Sequence, residues 1–157
     1  MLYEQTTKGF REEFDFLSNM YPVELMLGDK KMHSSEHIYQ YLKASYLQDQ
    51  DLKQKVLFSK NGHESKKLMK GFVVPDHAKV YAMGVALEKK FNVPEMAKRL
   101  LLTNDVELVE YNWWGDSFWG KVIPKGGTYL TATGKNVLGN MLMKKRQQLR
   151  NDHGIKD

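Results

Sequence analysis

Apolar residues recur at helical steps in two stretches of the chain: Val80, Met83, Leu87 and Phe91 in one, Leu138, Met141, Leu142 and Leu149 in the other. A helix that docks on a core needs one such stripe, so both stretches are predicted as amphipathic helices. Ser34 and Ser35 can cap a further helix over residues 36–48, and Pro94 suits the first turn of another that Asn104-Asp105 stops. Shorter helices are predicted over residues 51–60 and 63–70. Strand character is weaker. Residues 23–27 and 30–33 flank Gly28-Asp29 as the arms of a hairpin do, and residues 106–111 are rich in strand formers.

These elements predict an α+β fold, mainly helical, with a small β-sheet. With 157 residues and no internal repeat or Pro/Ser-rich linker, the chain reads as a single compact domain over residues 1–157, its tail frayed over 151–157. Two long connections remain, residues 112–121 and 124–133. Both are rich in glycine, aromatic and polar residues, the composition of binding loops.

Composition narrows the class. Hydrophobic residues make up 41% and charged residues 27%, as in ordinary globular proteins, and no apolar run is long enough for a membrane span. Residues 1–10 lack the apolar core of a secretory leader, so a cytoplasmic location is expected. The absence of cysteine removes disulfides, thiolate metal sites and cysteine nucleophiles. A formal charge of +5 favours phosphate-bearing partners, nucleic acid among them, although Lys144, Lys145, Arg146 and Arg150 read first as a solvated helix face.

Four patterns bear on chemistry. Glu36, Gln40 and Lys43 stand at i, i+4 and i+7, which brings a carboxylate, an amide and an ammonium onto one helical stripe. Spacing alone suits a solvated face as well, with Glu36 favourable beside the helix N-terminus. Residues 111–120 hold all three tryptophans and one carboxylate, Asp116; such a cluster stacks a planar base or fills a core. His33-Ser34-Ser35-Glu36-His37 matches the H-x-x-E-H spacing of some zinc proteases, with only Glu110 and Asp116 as nominal third ligands. Gly126-Gly127 through Gly134-Lys135-Asn136 departs from a nucleotide phosphate loop, since Tyr129 replaces a required glycine and Asn136 a required hydroxyl residue. Lys135 and the start of the last helix can still present amides to one phosphate, or form a plain loop and cap.

Read in order, Phe16-Leu17-Ser18-Asn19-Met20-Tyr21-Pro22, then Ser35-Glu36-His37-Ile38-Tyr39-Gln40 with Lys43, resemble the opening of the YbiA/NADAR family. The resemblance continues through Ala86-Leu87-Glu88-Lys89-Lys90-Phe91, Leu100-Leu101-Leu102-Thr103, Asp116-Ser117-Phe118-Trp119-Gly120 and Gly134-Lys135-Asn136-Val137-Leu138-Gly139 to Arg146. It implies an N-glycosidase that uses neither metal nor cofactor. Its substrate would be a ribosylaminopyrimidine phosphate of riboflavin biosynthesis, or ADP-ribosylated guanine in nucleic acid. By motif position Glu36 resembles the essential carboxylate, and Asp116 and Trp119 a second polar and aromatic pair; Glu36 and Asp116 suit the catalytic roles that an oxocarbenium-like transition state needs. Ser18 and Asn19 resemble ribose or phosphate contacts, Gln40, Lys43 and Asn136 supports, and Lys43, Lys70 and Lys135 the phosphate-facing cations. Two departures stand out: Pro75 or His77 occupies the place of a family tryptophan, and Met69-Lys70 that of a Gly-Arg pair, which keeps the charge but loses the bidentate fork. The alternatives are a non-catalytic reader of ADP-ribose or modified nucleic acid, and a zinc metalloprotease.

Overall fold

The computed structural model describes residues 9–155, and the chain divides into two compact units. One is Asn19–Val93; the other joins the described residues before Asn19 to those from Pro94 onward. Residues 1–8 and residues 156–157 of the expected tail lie outside the described residues, and the expectation drawn from residues 1–10 falls largely on them. The architecture is α+β and mainly helical, and among the described residues the β-structure is two short ladders and an isolated bridge between Val122 and Thr133.

In the unit Asn19–Val93 the expected hairpin forms from β1, Leu25–Leu27, and β2, Lys30–Met32, with Leu25 opposite Met32. Gly28 turns the chain with φ of 64°, a conformation glycine adopts without steric cost. Four helices follow: α1 Ser35–Tyr46, α2 Gln50–Leu57, α3 Gly62–Leu68 and α4 Asp76–Phe91. Side-chain oxygens cap the first three. Ser34 accepts from the His37 amide, Asp49 from Leu52 and Asn61 from Glu64, each relieving an orphan donor of the first turn. α1 stops two residues before Gln48, whose φ of 57° is left-handed, so the helix is slightly shorter than the sequence suggests.

α1 packs against α2, α3 and α4, and its residues are buried around most of its circumference, from Ser35 through Tyr41 and at Ala44. α4 runs antiparallel to α1. Its His77 meets Tyr46 at the end of α1, with ring centroids 6.0 Å apart. Its Met83 sulfur accepts from Asn19 Nδ2 at 3.3 Å, and Asn19 in turn holds Ser35 at the beginning of α1.

The second unit has a 3-10 turn, Glu12–Leu17, that packs on α5, Pro94–Leu101, which in turn packs on α6, Val137–Asp152. Phe14, Phe16, Leu17, Leu100, Leu108 and Leu142 are buried there. β3, Tyr111–Asn112, runs parallel to β4, Lys121–Val122.

Three expectations are corrected here. The strand predicted over 106–111 contributes only Tyr111 to a ladder, because the Asn136 side chain takes the place of a strand partner: Oδ1 accepts from Glu110 N and Nδ2 donates to Leu108 O, both at 3.0 Å. Of the four basic residues expected to form a solvated face on α6, only Lys144 is exposed. Lys145 and Arg146 are buried, and Arg146 donates to Thr103 Oγ1 and Val106 O, both at 2.9 Å; Arg150 pairs with Asp105 at 3.0 Å. Of the tail expected to fray from 151, Asn151 and Asp152 are helical. Among the described residues no helix is long and apolar enough to cross a membrane.

Candidate functional site

The stripe Glu36, Gln40 and Lys43 is not solvated. Glu36 is 7% exposed, Gln40 is 3% exposed and Lys43 is half-buried, because α3 and α4 cover this side of α1. Burying a carboxylate and an amide costs free energy unless other interactions or a ligand compensate. The Gln40 Oε1 atom is buried with no hydrogen-bond partner among the described residues, an acceptor that a donor from a ligand would satisfy.

The surroundings fix Glu36 tightly. Its backbone amide donates to Asn19 O at 3.0 Å, and Ser35 Oγ donates to Asn19 Oδ1 at 2.9 Å, so Asn19 pins the first turn of α1 through its carbonyl and its amide. Asn19 therefore positions the start of α1 within this unit. Gly62 opens α3 against the Glu36 side chain, where a larger residue would not fit without displacement.

Cations gather on the same side. Burial pushes the Lys43 ammonium below the ordinary lysine range, Glu36 opposes that shift, and Lys79 of α4 and Lys66 of α3 add to it. The Lys43 Nζ lies 4.7 Å from the centroid of the buried Tyr39 ring, a cation–π contact that holds the charge in place. Asp76 pairs with Lys79 at 3.2 Å. Sequence reasoning named Lys43 but missed Lys66, Lys79 and Gly62, for lysines on helices are ordinary and only packing shows which of them come near Lys43. Lys70 is exposed just beyond α3. His77, at a place where the resemblance expects tryptophan, presents its ring edge-on to Tyr46.

The H-x-x-E-H histidines have a different task. His33 and His37 stack with ring centroids 3.7 Å apart and planes 11° apart. His37 Nδ1 accepts from the His33 amide at 3.1 Å and Nε2 donates to Val56 O at 2.9 Å, which sets its neutral Nε2-H tautomer and engages both nitrogens. His33 bridges Ser34 Oγ at 3.0 Å and Ser59 Oγ at 3.3 Å, and burial pushes its pKa down to about 4. The pair lines an open pocket of about 460 Å³ with Pro22, Met32, Leu57 and Ser59. Among the described residues no three His, Cys, Asp or Glu side chains gather as a metal site.

The remaining predicted residues belong to the other unit. Asp116 Oδ1 accepts from the amides of Phe118 at 3.1 Å and Trp119 at 2.9 Å, so it caps the turn that carries Trp119. Asn112, fully buried, braces that turn by accepting from Asp116 N at 2.9 Å and donating to Asp116 O at 2.8 Å. Trp119 is half-buried with its ring edge-on to Phe118 at 4.8 Å, whereas Trp113 and Trp114 are exposed. Ser18 is half-buried at the end of the N-terminal 3-10 turn.

Of the two readings open for Lys135 and the start of the last helix, a phosphate cradle or a plain loop and cap, the backbone amides support the second. The amides of Lys135, Asn136, Val137 and Leu138 donate to the carbonyls of Ser117, Gly120, Phe118 and Trp119 at 2.8, 3.2, 3.0 and 3.1 Å. Those four donors are what an anion at a helix N-terminus would have used. Asn136, 3% exposed with left-handed φ of 50°, spends its side-chain amide on Leu108 and Glu110. The Lys135 Nζ lies 5.7 Å from the Phe118 ring centroid.

Comparison with known proteins agrees with this architecture. The chain is 32% identical over 145 residues to a riboflavin biosynthesis protein of Vibrio vulnificus (strain YJ016), covering 88% of this chain but only 36% of that protein. It therefore spans about a third of the relative's length. The solution structure of the E. coli protein YbiA superposes with a TM-score of 0.73 at 23% identity, covering 100% of this chain and 88% of that one, a likeness of fold. The NADAR domain model matches residues 3–150, and the chain belongs to the NADAR domain family.

Proposed function

We propose that the protein hydrolyses the N-glycosidic bond of a phosphorylated, ribosylated nucleobase, with Glu36 as its central carboxylate. The observation that carries this reading is the buried α1 stripe, in which a carboxylate, an unpartnered amide oxygen and a half-buried ammonium share one helical face. Membership of the NADAR family and the riboflavin-biosynthesis name of the Vibrio relative favour the same chemistry.

Cleaving a ribosyl C1′–N bond builds positive charge on the sugar ring, which an adjacent carboxylate stabilises and a low-dielectric setting makes stronger. Water adds its hydroxyl to C1′, and its proton ends on the departing nitrogen; in this reading Glu36 relays that proton. Gln40 Oε1 accepts from a ribose hydroxyl. Lys43, with Lys66 and Lys79 behind it, meets the phosphate. In the other unit Asp116 positions the turn of Trp119, its Oδ1 engaged by the Phe118 and Trp119 amides.

The test is base release, measured by mass spectrometry in the presence of a chelator. The substrates are a ribosylaminopyrimidine phosphate and guanine-ADP-ribosylated DNA. Glu36→Gln keeps the shape of the side chain and loses at least a hundredfold in rate, the scale of acid–base catalysis. Equal rates in wild type and variant would refute the reading, and binding without release from either substrate would make the protein a reader.

A further inference from the structure

Met83 of α4 is 2% exposed, and its Sδ atom accepts from Asn19 Nδ2 at 3.3 Å. A thioether is a weak acceptor, and a buried helix position that serves packing alone is filled as well by leucine, which accepts nothing. The sulfur gives the Asn19 amide a direction. With Nδ2 turned to Met83, Oδ1 faces α1 and accepts from Ser35 Oγ at 2.9 Å. The reversed amide would set its oxygen against the sulfur lone pairs with no hydrogen between them. Ser35 is fully buried, and the Asn19 carbonyl accepts from the Glu36 amide at 3.0 Å. Sulfur, amide, hydroxyl and helix start thus form one relay from α4 to the first turn of α1. Its side-chain links span 64 and 16 positions of sequence, so it exists only in the folded chain.

We propose that Met83 is a positioning residue: acting through Asn19, its sulfur fixes where α1 begins and so where the Glu36 carboxylate stands. The inference rests on the reading that makes Glu36 the central carboxylate. Gln40 and Lys43 lie about one and two turns further along α1, beyond the relay. Loosening the relay therefore shifts the carboxylate against a bound substrate while the residues that hold the substrate stay in place. The chemical step suffers most, because a reacting group misplaced by a fraction of an ångström loses much of its advantage.

Met83→Leu conserves volume and removes the acceptor, a swap that cores tolerate. On the substrate that wild type cleaves, kcat is expected to fall about tenfold while KM stays unchanged. Asn19→Ala keeps the backbone bond to Glu36 but removes the intermediary, so in that background Met83→Leu has no further effect on kcat. Side-chain amide NMR of the full chain reads the relay without turnover. The two Asn19 Nδ2 protons, assigned by their loss in Asn19→Ala, shift and exchange faster with water in Met83→Leu. Unchanged Asn19 signals in Met83→Leu, or an equal loss of kcat with and without the Asn19 amide, overturns the proposal. So does a loss of kcat that accompanies a large fall in the urea midpoint, which would make Met83 a packing residue. Where wild type releases no base, the NMR comparison still decides the relay, so failure of that chemistry and failure of this inference are distinguishable.

Discussion

Gly62 at the start of α3 lies directly against Glu36: a methyl group there would stand 3.2 Å from Cβ and 3.4 Å from Cγ of the glutamate, and 2.7 Å from the Met20 sulfur. The sulfur sits near the end of a flexible side chain and can yield. Glu36, held by Asn19 through its own backbone, moves by a few tenths of an ångström at most. Gly62→Ala also gains roughly 0.5–1 kcal/mol of helix propensity. Its urea midpoint is therefore expected to stay close to wild type while kcat falls severalfold. A large loss of stability with unchanged kcat would show that the contact serves packing alone.

Gln40 offers the opposite trade. Its buried Oε1 has no partner, so Gln40→Leu removes a desolvated acceptor and keeps much of the volume. Stability is expected to rise by about 1 kcal/mol, and ligand affinity to fall about tenfold, if the oxygen accepts from a ribose hydroxyl. Chemical denaturation and calorimetry on the same preparation give both numbers.

Asp116 separates positioning from proton transfer. Asparagine retains an oxygen that accepts from the Phe118 and Trp119 amides, so Asp116→Asn should keep stability and most of kcat. Asp116→Ala loses both bonds and about 1–2 kcal/mol of cap energy. An Asp116→Asn variant that folds normally but loses turnover a hundredfold would give this carboxylate a direct catalytic role.

The His33–His37 stack predicts an acid-sensitive fold. Burial lowers both pKa values, that of His33 from 6.5 to about 4, so between those pH values the unfolded chain binds more protons than the folded one. Stability from this source is intact above pH 6.5 and is lost as pH falls towards 4. His33→Phe preserves a stacking ring but cannot titrate. Its urea midpoint should depend less steeply on pH than wild type over that window; parallel slopes would assign the acid sensitivity to other groups.

Much of the local structure was legible from one-dimensional pattern. Ser34, Pro94 and the apolar steps from Val80 to Phe91 act through bonds and contacts within a turn or two, so they mark helices wherever the rest of the chain lies. The Gly28-Asp29 hairpin was readable for the same reason. Residues 106–110 misled because their strand-like composition is answered by the Asn136 side chain, a partner 26 or more positions away.

By itself the sequence determined the helical α+β class, the family resemblance, and the shared face of Glu36, Gln40 and Lys43. Helical spacing fixes a side chain's direction but not what covers it. Tertiary structure decided that α3 and α4 bury that face and bring Lys66 and Lys79 near Lys43, turning a stripe that reads as solvated into a buried one. It also decided that the amides at the start of α6 are spent on residues 117–120, since only the folded chain shows which donors already have acceptors.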